Sequence, residues 1–537
     1  MVCQREFTEI TEATKSISNS SDQERLEHSV SPGCPAIALP SFPCRSGSSV
    51  LIDCHFERSL TEKQAYCWKG KKSTKGGRCT YCISFAQELK STVDRVIVDM
   101  LPDVALLKIF HFYVDDSART EAWCTLVHVC RNWRNVIFGS PRRLNLRLSC
   151  DARTPVRKKI DAWPLLPIIV RGFGVEECGV DNIIAALEHN DRIHKVDLEG
   201  FPSLQMEKVL KAMQQPFPEM EYLQLYSRSE TEVVPASFLG GSAPQLQELR
   251  LASIPFPGLP KLLLSATHLA KLHLIYIPHS GYFLPEAIVT SLSALTGLET
   301  LKIGFESPQS RPDRRRRPPP LTRTLLPALI HFEFKGVSEY LEDLIARVDA
   351  PLLNELDIIF FHQLIFDTPQ LTQFISRTPK FKACDDARVQ FSDLGVWVST
   401  IDEALILRIS CRQSDWQLSS LAQVCGSIFI PGIEHLYIEG RTYHSLSWQD
   451  DIETGQWLEL LHRLTAVKDL RMSRDLTVRI APTLQELIGG RATEVLPVLQ
   501  TVSIQGTLPS GVQETIDKFV AARELAGHPI AVSSWKS

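Results

Sequence analysis

The segment Leu246-Gln-Glu-Leu-Arg-Leu251 places apolar side chains at its first, fourth and sixth positions. The form recurs as Ile193-His-Lys-Val-Asp-Leu198, Met220-Glu-Tyr-Leu-Gln-Leu225, Leu269-Ala-Lys-Leu-His-Leu274 and Leu298-Glu-Thr-Leu-Lys-Ile303. It continues as Leu329-Ile-His-Phe-Glu-Phe334, Leu353-Asn-Glu-Leu-Asp-Ile358, Ile433-Glu-His-Leu-Tyr-Ile438, Val467-Lys-Asp-Leu-Arg-Met472 and Leu499-Gln-Thr-Val-Ser-Ile504. The early copies start 23–31 residues apart, close to the period of leucine-rich repeats. Alternation over the last three positions predicts a strand whose two apolar side chains enter a shared core. Stretches of helical periodicity lie between copies, at Glu207–Gln214, Leu259–Ser265, Pro285–Leu295 and Thr454–Leu464. One strand and one helix per repeat, stacked on their neighbours, make a curved α/β solenoid.

The array is irregular. Most copies lack the Asn or Cys that follows the strand in leucine-rich repeats and bonds the turn. Between Phe361 and Pro431 the form blurs, with strands expected only at Ala387–Phe391 and Leu405–Ile409. That stretch reads either as degenerate repeats or as an insertion. An ordinary α/β domain with Leu-x-Leu strands is the competing reading of the whole array.

Upstream the texture changes twice. Ser16–Ser21 and Ser29–Ser49 are rich in Ser, Pro, Gly and Cys, a composition that buries too little apolar surface to offset the entropy of ordering. Residues 1–92 are therefore expected to be largely disordered. From Val96 onward apolar stripes appear: Leu106/Ile109/Tyr113 and Leu107/Phe110/Val114 on one helix, opened by Leu101-Pro102. A second helix is expected from about Ala122 to Ile137, with Leu126, Cys130, Trp133 and Ile137 in one stripe and Val129 and Val136 in another. Gly139-Ser140-Pro141 ends it. A short helix apolar on two sides needs two things to pack against.

The chain of 537 residues, with 44% hydrophobic and 22% charged residues, has the composition of a soluble globular protein. A net charge of −4 excludes a globally basic nucleic-acid binder. No apolar run reaches the ~18–20 residues of a membrane span, and the first ten residues carry acids where a secretory leader carries an apolar core. A cytoplasmic or nuclear protein with reduced thiols is expected. Its 14 cysteines include seven in the first eighty-odd residues, with the rest scattered singly.

Residues Leu101–Leu148 resemble an F-box. The family opens with Leu-Pro, continues through an Ile-Phe pair and closes on Val-Cys-Arg-x-Trp. This chain carries Leu101-Pro102-Asp103, Ile109-Phe110 and Val129-Cys130-Arg131-Asn132-Trp133. The following Phe138-Gly-Ser-Pro-Arg-Arg-Leu-Asn-Leu-Arg-Leu148 is similar to the extension found in F-box proteins of mushroom-forming fungi, which continue into leucine-rich-like repeats. The resemblance divides the chain into an N-terminal segment (1–92), an F-box (96–148) and a repeat solenoid (149–537). It implies a substrate-recognition adaptor of an SCF-type cullin–RING ubiquitin ligase, the F-box docking on a Skp-family adaptor and the repeats holding a protein substrate. Carried over by position, Leu101, Pro102, Leu106, Ile109, Phe110, Val129, Cys130 and Trp133 bury against the adaptor or support that face; intradomain core is the alternative for each. One departure is the polar link Asp115-Asp-Ser-Ala-Arg-Thr-Glu121, which shows no obvious middle helix.

Other constellations are weaker. Cys79-Thr-Tyr-Cys82 is a good zinc half-site, but Cys54, His55 and Cys67 offer no second clean pair, and the segment reads better without metal. Arg311-Pro-Asp-Arg-Arg-Arg-Arg-Pro-Pro-Pro320 reads as a protruding basic loop, with nuclear targeting or contact with an acidic partner as alternatives. Walker-type, His-Glu-x-x-His and Gly-x-Ser-x-Gly motifs are absent from the sequence, so neither an enzyme nor a cofactor is expected. Strand alternation turns Lys195, Asp197, Glu248, Arg250, Lys271, His273, Lys302, His331, Glu333, Glu355, Asp357 and His435 outward, onto the concave face of a leucine-rich array. Their mixed signs suit a protein partner. A repeat scaffold outside ubiquitination is the second reading, and a nucleic-acid binder using the N-terminal cysteines and Arg314–Arg317 the third.

Overall fold

The computed structural model describes residues 101–535 apart from 116–122, 142–143, 145, 153–155, 175–176, 313–321, 364, 383–384, 393, 412–413, 426–431, 441–453 and 489. The chain separates into two units, Met1–Asp94 and Arg95–Ser537, and every described residue belongs to the second. The expected N-terminal segment, its cysteines and Arg314–Arg317 lie outside the described residues.

Three helices come first: α1 (Asp103–Asp115), α2 (Trp123–Val127) and α3 (Arg131–Gly139). The second expected helix is thus broken in two. Cys130 adopts an extended conformation (φ −154°, ψ 171°), and its Sγ accepts a hydrogen bond from the Trp133 amide at 3.4 Å. It caps α3, so helical periodicity runs through the sequence while the backbone restarts.

Next come β1 (Leu148–Asp151), α4 (Val156–Ala162), β2 (Ile168–Phe173), α5 (Glu177–Leu187), β3 (Ile193–Phe201), α6 (Ser203–Ala212), β4 (Tyr222–Ser227) and β5 (Glu248–Ala252). Then follow α7 (Leu259–Leu263), β6 (Lys271–Ile277), α8 (Pro285–Leu292), β7 (Thr300–Phe305), β8 (Thr324–Leu325), β9 (His331–Gly336), α9 (Ser338–Ile345), β10 (Val348–Asp349) and β11 (Glu355–Phe361). The last part holds α10 (Pro369–Arg377), β12 (Asp386–Ser392), β13 (Gly395–Thr400), β14 (Leu405–Ser410), α11 (Ser414–Cys425) and β15 (His435–Gly440). It closes with α12 (Thr454–Arg463), β16 (Asp469–Met472), α13 (Arg474–Glu486), β17 (Thr501–Gln505), α14 (Ser510–Leu525) and β18 (Ala531–Trp535).

Sixteen strands form one sheet, parallel except around β13; β8 and β10 pair separately. All ten repeat copies supply strands; nine begin at the third position of the form, and β3 begins at the first. The first-position residue turns into the core at or just before the strand entry: Leu246 and Leu269 are wholly buried, and the least buried of the ten, Leu499, is 3% exposed. Three buried side chains per repeat, at roughly 1.5–3 kcal/mol each, drive the stacking. Backbone bonds take over the tie that the missing Asn would make. The amides of Glu221, Gln247, Ala270 and Glu299 donate to the carbonyls of His194, Glu221, Gln247 and Ala270 at 2.8–2.9 Å, one rung per repeat.

Between β11 and β15 the sheet order is β11-β14-β13-β12-β15. The blurred stretch is an insertion: a three-stranded antiparallel meander occupies the slots of repeats, so the chain advances past two positions and returns. Gly395 makes the return possible, since a Cβ there would lie 2.1 Å from the Ile409 carbonyl oxygen. At the β13–β14 turn, Asp402 accepts hydrogen bonds from the Thr400 hydroxyl (2.7 Å) and the Ala404 amide (3.1 Å) and pairs with Lys380 at 2.7 Å. β1, β2, β13 and β18 were not expected from the repeat form.

Candidate functional site

The helical unit presents one candidate surface. The Pro102 carbonyl accepts from the amides of Ala105 (2.8 Å) and Leu106 (3.1 Å), starting α1. Leu106, Leu107 and Phe110 turn inward and are buried. Val104, Ile109, Phe112 and Tyr113 turn outward, at 54, 42, 67 and 37% exposure. Residues 109, 112 and 113 stand three and four apart and share a face. One of the two expected stripes therefore divides, Leu106 supporting the unit while Ile109 and Tyr113 face out.

The other expected residues have mixed environments. Pro102 is exposed, Leu101 is half-buried against the core, and Val129 is half-buried. Cys130 caps α3, and the Trp133 ring meets Phe110 edge-on at 4.8 Å. Phe112 is the most exposed apolar residue of the unit and was missed, because it belongs to neither stripe. Trp123 was missed too. It is wholly buried, its ring lies 5.0 Å from that of Trp163, and its Nε1 donates to the Arg147 carbonyl at 3.1 Å. Those contacts tie α2 to the residue leading into β1 and to the residue that follows α4.

The second candidate surface is the sheet face opposite the helices. Across it, residues in register form rows. One runs Asp197, Gln224, Arg250, His273, Lys302, Glu333 and Asp357. The outward charges named from alternation stand in this row or the one beside it. Most are neutralised locally: Lys302 pairs with Glu333 at 2.6 Å, Asp357 with Arg408 at 2.6 Å, and His331 with Glu355 at 2.7 Å. Lys195 pairs with Asp197 at 3.4 Å and sits 3.6 Å above the Tyr222 ring. His273 is held neutral. Burial, aided by Arg250 and Lys302, lowers its pKa to about 4. Towards the strand ends Lys335 lies near the rings of Tyr276 and Phe361 (5.2 and 5.7 Å), and burial lowers its pKa. This face offers contact and charge complementarity; no three His, Cys, Asp or Glu side chains gather to hold a metal among the described residues. No helix of the described residues is long and apolar enough to cross a membrane.

No family model and no curated protein matches the chain. A chain from the crystal structure of the Rad7 and Elc1 complex in yeast is similar over 87% of this chain and 96% of that one, at 11% identity and a TM-score of 0.23. A likeness this weak defines neither a family nor a function. The chain folds as a solenoid-like α/β repeat array with a helical unit packed at its start.

Proposed function

We propose that the protein is a substrate-binding adaptor of a cullin–RING ubiquitin ligase, α1 docking on a Skp-family adaptor and the open sheet face capturing a protein substrate. One observation carries the reading. The helix that follows Leu101-Pro102 turns Ile109, Phe112 and Tyr113 to solvent on one face, while Leu106, Leu107 and Phe110 of the same helix are buried. Such a patch in an otherwise polar surrounding marks a partner site. In this role the chain contributes proximity and orientation, and the ubiquitin chemistry belongs to other subunits.

A second reading rests on Trp123. Its contacts tie the helical unit to the segment leading into the array, the position of a terminal cap, and repeat arrays need such caps. On that reading the helices are structural and the protein is a binding scaffold outside ubiquitination.

Affinity purification under proteasome inhibition separates the two. The full chain is compared with Ile109→Asp/Phe112→Asp, which spares the Trp123 contacts. Under the adaptor reading the double variant loses ubiquitinated prey while keeping the prey themselves. Equal recovery of ubiquitinated prey from both chains supports the scaffold.

A further inference from the structure

On the β4–β11 half of the open face most charges have partners. On the β12–β18 half two cations do not. In register across the sheet stand Ser399, Arg388, Tyr437, Arg471, Ser503 and Ser533, a row without an acid. Arg388 and Arg471 flank Tyr437 from its two neighbouring strands, and among the described residues neither has a hydrogen bond or ion pair. The Arg388 guanidinium lies 5.6 Å from the centre of the Tyr437 ring, and its Nε is buried without a partner. The Trp535 ring also packs against Tyr437, 5.4 Å between centroids, its Nε1 likewise buried and unpartnered among the described residues. Beyond them the hydroxyls of Ser503 and Ser533 are 2.8 Å apart. A guanidinium taken partly out of water without an anion is costly, and a carboxylate is its natural complement.

We propose that Arg388, Tyr437 and Arg471 bind an acidic peptide segment of a protein partner, laid across the strands with one carboxylate to each arginine and its backbone passing over the Tyr437 ring. Two strand spacings separate the arginine backbones by about 9–10 Å. Carboxylates three residues apart in a polyproline-like segment stand about 9 Å apart on one side of it. The neighbouring rows explain why a short acidic peptide fits better than a nucleic acid. Glu439 bonds to Gln390, and Asp469 pairs with His435 at 2.5 Å; these acids confine the cationic stretch to two arginines and would repel a continuous phosphate backbone. The proposal rests on the open face being a partner-binding surface and is independent of whether α1 binds an adaptor.

The test uses the full chain and three fluorescein-labelled probes: a short Pro/Ser peptide with glutamate at every third position, the same peptide with glutamine instead, and a single-stranded oligonucleotide of similar length. The wild type should prefer the glutamate peptide to the glutamine peptide by about tenfold or more at low salt, from two charge-assisted contacts. Arg388→Gln/Arg471→Gln should bring the two peptides to parity without shifting the melting temperature. Arg471→Gln alone, at an exposed side chain, should lose part of the preference and guards against a folding defect in the double variant. Adaptor binding should be the same for all three chains. Parity of the two peptides on wild type, or an undiminished preference in the Arg471 variant, overturns the proposal. Tighter binding of the oligonucleotide than of the glutamate peptide overturns the choice of occupant.

Discussion

The rings of Phe110 on α1 and Trp133 on α3 meet edge to face, 4.8 Å between centroids and 60° between planes. Phe110 is wholly buried, and one residue before it on the same helix Ile109 faces solvent. The contact thus sets the angle at which the exposed apolar side of α1 is presented. Trp133→Ala should cost about 3 kcal/mol, as removal of a large packed ring does. Trp133→Phe should cost clearly less, because it keeps an aromatic edge against Phe110 and removes an indole Nε1 that has no hydrogen-bond partner among the described residues. Denaturant unfolding of the two variants gives the ordering, and equal losses would contradict the packing account.

His273 predicts a pH dependence with a definite sign. Its pKa falls from 6.5 to about 4 in the folded chain, burial being the main cause, so between those values the unfolded chain holds the proton and the folded one does not. Stability contributed by the neutral ring is present above pH 6.5 and is lost as pH falls towards about 4. His273→Gln should flatten that part of the curve. Melting temperatures measured across this window for both chains, taken as a difference, isolate the contribution; parallel curves would remove His273 from the account.

Gly395 is expected to be intolerant of any side chain. A Cβ would meet the Ile409 carbonyl oxygen across the β13–β14 pairing, where backbone cannot yield as a side chain can. Gly395→Ala should destabilise by about 1–3 kcal/mol or more. Gly297→Ala, at a site with open space around the added carbon, should change stability little. Thermal unfolding of the pair compares them directly, and a harmless Gly395→Ala would mean that the meander is not packed as described.

The repeat strands were legible because their form repeats a physical requirement. Leu246, Leu249 and Leu251 must all enter one core, and only the apolar-x-x-apolar-x-apolar spacing does that at a strand entry. Val396 and Val398 in β13 alternate just as well, but an antiparallel strand filling a repeat slot lacks the leading apolar residue that marked the others. β18 was invisible for another reason: at the edge of the sheet Ala531–Ser534 are all exposed, so hydrophobic pattern had nothing to select. In the helical unit, periodicity located Phe110 and Trp133 but could not say which side of α1 the chain itself would cover. Phe112 is conspicuous only once Leu106 and Phe110 are seen to be spent inside. The row Arg388–Tyr437–Arg471 depends on register between β12, β15 and β16. The meander sets that register, and spacing along the chain does not encode it.

The adaptor reading is tested most directly by titrating a purified Skp-family adaptor onto the full chain by calorimetry, alongside Ile109→Asp/Phe112→Asp. The account predicts a one-to-one complex with the wild type and a loss of about a hundredfold or more in affinity for the double variant, as expected when central apolar anchors are replaced by charge. The variant's melting temperature should stay close to that of the wild type, since Phe112 is 67% and Ile109 42% exposed. No complex with the wild type, or a double variant that binds equally well, would contradict the claim that this face of α1 is the dock.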